Sequence, residues 1–191
     1  MATVKNKKLA VMASGSGSNL GSLIQAVNNG IIENAEISLV ISSKKDAYAL
    51  TRAEEAEIPA FHLDSDEQIL DKLNEFNIDV VLLAGYMRIL TMPFLQAYKG
   101  RILNIHPSLL PEFGGKGMYG IRVHREVIKA GRSESGCTVH VVTEEIDGGP
   151  ILSQARVSVM FDDTPESLAA RVLVEEHILY PRTVQAFVEK I

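Results

Sequence analysis

The stretch KLAVMASGSGSNLGSLIQAVNNG, residues 8–30, contains three local patterns in succession. A short apolar run at residues 8–13 predicts a buried strand, and the small polar residues after it predict a tight loop. The next apolar residues recur at helical spacing up to Gly30, where we expect the helix to end. A strand, a glycine loop and a helix in this order form the unit from which parallel α/β sheets are built.

The alternation of strands and helices continues through the first half of the chain. Patterns typical of buried strands occur at residues 35–42, 58–63, 79–85 and 101–106. Helical patterns between them occur at residues 46–57, 66–76 and 92–100. Repeated βα units predict a Rossmann-like, mostly parallel, twisted sheet with helices on both faces.

The second half of the chain follows a different pattern after a predicted helix at residues 119–130. Residues 137–145 and 150–159 alternate apolar and polar side chains on either side of the turn-forming sequence IDGGP. This arrangement predicts a C-terminal antiparallel hairpin added to the sheet. The last helix is predicted to begin near Pro165, and we expect Pro181 to kink or split it.

Composition limits the class of protein. The chain has 191 residues, of which 46% are hydrophobic and 23% are charged, as in ordinary globular proteins. We find no repeat or linker and therefore expect a single domain over residues 1–191. The formal net charge of -5 argues against a nucleic-acid partner. The first apolar run is too short for a membrane span or signal sequence, and Cys137 is the only cysteine, so we expect a cytoplasmic protein without disulfides.

The glycine loop after the first strand is a candidate anion site, because ligands of such sheets bind beyond the carboxyl ends of the strands. Gly17 lets the backbone approach a ligand closely, and the first amides of the following helix are unpaired donors. A single phosphate monoester is the ligand that this loop favours. The alternative is purely structural, with Ser18 or Asn19 capping the helix.

Nucleotide cofactors fit this loop less well. Its glycine spacing is G-x-G-x-x-x-G, which differs from the dinucleotide fingerprint, and the next strand ends without an acidic residue for a ribose diol. Lys44 and Lys45 would suit a 2′-phosphate, so an NADP enzyme stays open as an alternative. The P-loop sequence G-x-x-x-x-G-K-[ST] is absent from the chain.

The sequence RILNIHPSLLPEF, residues 101–113, places Asn104 and His106 two positions apart on a predicted strand. Residues two apart point to one side of a strand, so an amide and an imidazole would converge on one point, as an oxyanion requires. Alternatively, the two residues form a turn cap and a surface imidazole. Asp147 lies in the Gly-Gly-Pro turn, where it either starts the turn or holds His106 cationic and shuttles a proton. Sequence separation does not decide whether Asp147 meets His106.

The remaining histidines have no metal-ligand spacing, so no metal site is expected. They are assigned to packing or surface roles, with His140 as the one expected to line the site; the others are His62, His124 and His177. Cys137 lies within a predicted strand, which favours a buried small side chain over a nucleophile.

Four motifs occur in the order SGSGSNL, LAGYMRIL, NIHPSLLP and DGGPIL. Together they resemble the folate-dependent phosphoribosylglycinamide formyltransferase family, and the resemblance runs from Leu9 to Pro181. It implies transfer of a formyl group from 10-formyltetrahydrofolate to the amine of glycinamide ribonucleotide in purine biosynthesis. It implies small-molecule partners and no metal, and leaves a homodimer open.

The resemblance also implies roles for individual residues. Asn104, His106 and Asp147 would be the catalytic group. The N-terminal half would bind substrate, with the phosphate held by Gly17, Ser18 and Asn19 and the ribose contacted by Glu176. The folate site would be formed mostly by backbone groups of Met87, Arg88, Ile89, Leu90, Val142, Thr143, Glu144, Glu145 and Ile146.

One region departs from the family pattern. The loop at residues 114–120 is longer and more glycine-rich than the family pattern predicts, so neither this loop nor Lys116 receives a role.

Rival enzymes share the catalytic motif. Formyltetrahydrofolate hydrolase is the main alternative, since it carries the same Asn-His-Asp set. Methionyl-tRNA formyltransferase would need a second, RNA-binding domain and a basic surface. A non-catalytic nucleotide-binding module would have no use for the three catalytic residues together.

Overall fold

The computed structural model describes residues 6–191, so the first five residues of the predicted domain lie outside the described part. Seven strands form one sheet. In chain order they are β1 (Lys7–Ala13), β2 (Ala35–Ser42), β3 (Ala60–His62), β4 (Val80–Leu83), β5 (Ile102–His106), β6 (Glu134–Val141) and β7 (Ile151–Ser158). Their order in the sheet is β3-β2-β1-β4-β5-β6-β7.

Six helices accompany these strands in the described residues. They are α1 (Ser18–Asn28), α2 (Tyr48–Glu55), α3 (Asp66–Glu75), α4 (Met92–Ala97), α5 (Ile121–Lys129) and α6 (Pro165–Val188). Strands β1 to β5 pair in parallel, whereas β6 and β7 are antiparallel to their neighbours. The predicted α/β class, the parallel sheet and the C-terminal hairpin are therefore confirmed.

The core lies on both faces of the sheet. In β1, Leu9 and Val11 belong to a cluster that includes residues of α1, α2, α5 and α6. Ala10 and Met12 belong to a second cluster that includes residues of α3 and α4. All four side chains are fully buried. Burial on both faces explains why this strand is a continuous apolar run.

Pro181 does not split the helix α6, so that part of the expectation of a kinked or split helix is wrong. The helix runs unbroken for 24 residues with Pro181 inside it. Its buried face packs across the sheet, and the Tyr180 hydroxyl donates to the carbonyls of Leu83 at 3.0 Å and Leu103 at 3.1 Å. This tertiary packing outweighs the local cost of a proline, and it fixes α6 beside the carboxyl ends of β4 and β5.

Candidate active site

A cavity of about 650 Å³ opens at the carboxyl ends of the parallel strands. Its walls come from the glycine loop, the segment after β4, the end of β5, residues 115–121, the turn before β7 and one face of α6. All of the predicted site residues except Gly17 line it. The topology thus brings together motifs that are far apart in the sequence.

Gly17 shapes the loop without facing the cavity. It adopts φ +68° as the residue preceding α1, and a Cβ there would lie 2.8 Å from the Cα of Ala49 on α2. Gly15 lines the cavity instead, and a Cβ added to it would meet no atom within 4 Å. No side chain caps α1 in the described part of the chain, so the capping role considered for Ser18 and Asn19 is wrong. The first amides of α1 are left as donors.

Two residues that sequence interpretation missed hold this loop. Arg52 donates from Nε to the carbonyl of Ser16 at 2.8 Å. The Ser14 hydroxyl lies 2.7 Å from the Ser43 hydroxyl and accepts the Met87 amide at 3.0 Å. Ser14 therefore connects the glycine loop to the segment after β4. A serine directly after a strand carries no distinctive sequence signal, so only the fold could identify it.

Glu176 is buried against the glycine loop. Its Oε2 accepts a hydrogen bond of 2.7 Å from the Asn19 amide, and the residue is 8% exposed. Burial raises the pKa of Glu176 to about 7, although the Asn19 hydrogen bond lowers it. The carboxyl group is consequently close to half protonated at neutral pH, so it can donate as well as accept hydrogen bonds.

Asn104 lies directly opposite His140 in the antiparallel pairing of β5 with β6. The Asn104 Nδ2 atom is 3.1 Å from His140 Nε2, and His140 Nδ1 is 3.2 Å from the carbonyl of Val141. A carbonyl can only accept, so we assign the proton of neutral His140 to Nδ1 and the lone pair to Nε2. His140 then orients the Asn104 amide, consistent with the expectation that this histidine lines the site.

His106 is held between a carbonyl and a carboxylate. Its Nε2 donates to the carbonyl of Phe113 at 2.9 Å, and its Nδ1 lies 3.5 Å from Asp147 Oδ2. Burial lowers the pKa of His106; Asp147 and the Phe113 carbonyl raise it, and His140 lowers it. The net shift is downward. The expected effect of Asp147 is present, but burial outweighs it, so the expectation of a cationic His106 is corrected.

Asp147 lies between His106, His140 and the Gly115 amide. It adopts φ +56°, and its Oδ2 accepts the Gly115 amide at 2.9 Å while its Oδ1 lies 3.6 Å from His140 Nε2. Burial raises the pKa of Asp147, but His140, His106 and the hydrogen bond from Gly115 lower it below its usual value. The structure therefore places Asp147 next to His106, which the sequence alone left undecided.

The loop at residues 114–120, to which no role was given, forms part of the cavity wall. Lys116 lines the cavity, and a Cβ at Gly114 would lie 2.5 Å from Leu110 Cδ2. His124 on α5 also lines the cavity while being 4% exposed. Burial and the charge of His106 lower the pKa of His124 to about 4. Because the Gly115 amide donates to Asp147, this glycine-rich loop also brings a backbone group close to that carboxylate.

The sequence profile of the formyl transferase family matches residues 7–184. The chain belongs to the formyl transferase family. Its sequence is 44% identical to a phosphoribosylglycinamide formyltransferase of Haemophilus influenzae over 96% of this chain and 88% of that one. It is 40% identical to the Escherichia coli protein of the same name over 95% of this chain and 87% of that one. The resemblance drawn from four motifs is thus confirmed.

Solved structures agree with this assignment. Glycinamide ribonucleotide transformylase 1 from Symbiobacterium toebii has a TM-score of 0.91 and 40% identity, covering 97% of this chain and 89% of that one. A formyltetrahydrofolate deformylase from Pseudomonas syringae has a TM-score of 0.87 and 27% identity, covering 97% of this chain and 62% of that one. The formyl transferase fold therefore extends to proteins named for a different reaction.

Other predicted features of this formyl transferase can be located in the described residues. Cys137 is fully buried, and burial raises the pKa of its thiol to about 12, as suits a packing residue. Lys44 and Lys45 are exposed and do not line the cavity, which removes the basis for the NADP alternative. Among residues 6–191, no group of three potential metal ligands is present, and no helix is long and apolar enough to cross a membrane.

Proposed function

We propose that this formyl transferase transfers the formyl group of 10-formyltetrahydrofolate to the amine of glycinamide ribonucleotide in purine biosynthesis. The observation that carries the proposal is that Asn104, His106 and Asp147 line one cavity, with His106 Nδ1 3.5 Å from Asp147 Oδ2. The glycine loop, Glu176, residues 87–90 and residues 142–146 line the same cavity. Two substrates bound in it would both reach the three residues.

The ribonucleotide would occupy the end formed by the glycine loop. Its phosphate would accept hydrogen bonds from the first amides of α1, where the helix dipole also favours negative charge. Glu176, whose pKa is raised to about 7, would exchange hydrogen bonds with ribose hydroxyls. Asn19 would keep that carboxyl in place. The folate would lie along residues 87–90 and 142–146, mostly against backbone groups.

The reaction would begin when the substrate amine attacks the formyl carbon and forms the new C–N bond. Negative charge would then develop on the formyl oxygen, where Asn104 and His106 are the available donors. Both donors are now hydrogen-bonded, to His140 Nε2 and to the Phe113 carbonyl, so they would exchange these acceptors for the formyl oxygen. A developing negative charge there raises the pKa of His106 and so opposes the effect of burial.

Asp147 would complete the proton transfer. The nitrogen that attacks must lose a proton, and N10 of the folate must gain one as the C–N10 bond breaks. Asp147 remains anionic because its pKa is lowered, and it lies 3.5 Å from His106 Nδ1. It can therefore accept the proton from the amine side and return it toward N10.

We further propose that residues 1–191 form a single catalytic domain that acts on small molecules in the cytoplasm and has no nucleic-acid partner. The net charge of -5 supports this view, because a nucleic-acid-binding surface would favour the opposite sign. The continuous seven-stranded sheet also supports a single domain, because segments from both halves of the chain line one cavity at the carboxyl ends of its parallel strands.

The test is consumption of 10-formyltetrahydrofolate by the purified chain, measured with and without glycinamide ribonucleotide. We expect consumption only with the ribonucleotide, accompanied by one equivalent of formylated product. His106→Ala should abolish most of this activity, whereas His62→Ala, which changes an exposed histidine on β3, should not. Equal consumption in water alone would contradict the proposal and indicate the hydrolase reaction of the deformylase relative.

A further inference from the structure

We propose that Asp66, the first residue of α3, is a positioning residue that holds the 87–90 segment in its place on the cavity wall. The 87–90 segment is the run Met87 to Leu90 that follows β4. The identity of its ligand as a folate rests on the function proposed above. The positioning itself rests on contacts within the protein.

Asp66 is joined to the 87–90 segment through both carboxylate oxygens. Its Oδ2 accepts the amide of Thr91, the residue directly after the segment, at 2.8 Å. Its Oδ1 lies 3.7 Å from Arg88 Nη2, inside the segment. Asp66 is only 9% exposed, whereas the Arg88 side chain is 36% exposed, and the 3.7 Å contact is an ion pair without a hydrogen bond. One carboxylate therefore fixes the end of the segment by a hydrogen bond and faces a charge in its middle.

Arg88 is attached to the start of α3 at a second point. Its Nη1 donates to the backbone carbonyl of Asp64, two residues before Asp66. Arg88 also lines the cavity. Arg88 is thus a link between the wall of the cavity and the N-terminus of α3, and Asp66 supplies the opposite charge at that link.

Tyr86 lies near both Arg88 and Asp66. Its hydroxyl is buried and has no hydrogen-bond partner among the described residues. Burial raises the pKa of Tyr86, while the charge of Arg88 lowers it and the charge of Asp66 raises it. The three side chains therefore form one cluster beneath the segment.

The beginning of the 87–90 segment is held by a different residue. The Met87 amide donates to Ser14 Oγ at 3.0 Å, on the side of the glycine loop. The segment is therefore held by Ser14 at its beginning, by the buried side chain of Leu90 and by Asp66 at its end. Ile89, between these anchors, is 71% exposed and so has little packing to hold it. Loss of Asp66 should free this part of the wall without affecting the glycine loop.

Two substitutions separate the contacts of Asp66. Asp66→Ala removes both, whereas Asp66→Asn keeps an acceptor for the Thr91 amide and loses the charge that faces Arg88. We expect the KM for 10-formyltetrahydrofolate to rise about tenfold in Asp66→Ala and less in Asp66→Asn, with kcat and the KM for the ribonucleotide unchanged. Asp64→Asn is the matched control, because Asp64 contacts Arg88 only through its backbone.

A ligand-free measurement makes the inference independent of the reaction. Amide hydrogen exchange should accelerate in a peptide covering residues 86–91 of Asp66→Ala, and exchange should stay unchanged in peptides of the glycine loop. Unaltered exchange at residues 86–91, or an equal loss of affinity for both substrates, would overturn the positioning role. If Asp66→Ala does not fold, the same comparison is made with Asp66→Asn. A wild-type chain without transferase activity would contradict the proposed function but leave the exchange test intact.

Discussion

Two carboxyl groups that line the cavity, those of Glu176 and Asp147, have pKa values shifted in opposite directions. Glu176, beside the glycine loop, has a single uncharged partner in Asn19, and burial raises its pKa to about 7. Asp147, at the proposed reaction centre, accepts a hydrogen bond from the Gly115 amide and faces two imidazoles, and its pKa is lowered. Both groups lose solvation on folding, so the partners of each carboxylate decide its charge rather than burial alone.

This difference separates binding from chemistry within one cavity. A carboxyl group near half protonation can exchange hydrogen bonds with hydroxyl groups, which suits recognition of a sugar. A carboxylate that stays charged beside His106 can raise the pKa of that histidine and move protons, which suits catalysis. The same pair of residues thus predicts which substitutions should change turnover and which should change stability or binding.

The largest effect is expected at the reaction centre. His106→Ala removes a donor to the developing oxyanion, so kcat should fall by roughly 10²–10³-fold, or about 2.7–4 kcal/mol of barrier. Steady-state kinetics should show KM values near those of the wild type, because the lost interaction is made mainly in the transition state. A rise in KM with unchanged kcat would assign His106 to ground-state binding instead.

Glu176 gives the next largest effect, as a dependence of stability on pH. Its pKa is raised to about 7 in the folded chain from a usual value of 4.5, so the folded state binds the proton more tightly. Stability from this group is complete below pH 4.5 and is lost as the pH rises through 7, by about 3 kcal/mol. Unfolding curves of Glu176→Gln should lack this loss. Glu175→Gln, on the neighbouring residue, should retain it, and identical curves for both variants would refute the shift.

A smaller effect is expected in the glycine loop. Gly17→Val would force a branched side chain into positive φ and against Ala49, so the free energy of unfolding should fall by about 1–3 kcal/mol. The substitution acts on the contact with α2, and no crowding of a bound phosphate is needed to explain it. Gly15→Ala, with open space around its Cβ, should leave stability nearly unchanged. Equal destabilisation by both variants would show that the loop conformation, and not the contact with Ala49, is limiting.

The sequence predicted the fold well because its signals are local. The apolar run of β1, the glycine loop and the periodic residues of α1 lie within 23 consecutive residues, and each follows from backbone or packing preferences. The unbroken α6 was not predictable in this way. There, contacts of Tyr180 with two distant strands outweigh the local preference of Pro181.

The site was predictable in its members but not in its electrostatics. Asn104 and His106 are two residues apart on a strand, so their common side followed from the sequence, whereas their meeting with Asp147 depends on β6 pairing next to β5. The lowered pKa of His106 arises from burial by several segments, which no short motif reports. The support of Asp147 by Gly115 comes from the loop to which no role could be given.

The central claim, that Asp147 and His106 act as a unit, is tested most directly by a double-mutant cycle on kcat. Asp147→Asn can keep the Gly115 hydrogen bond, but loss of its charge should lower the pKa of His106 further and remove the proton acceptor. Turnover should therefore fall far more than substrate affinity. We predict that the double variant Asp147→Asn with His106→Ala is little slower than His106→Ala alone. Full additivity of the two single effects would contradict the account and leave Asp147 as a residue of the turn.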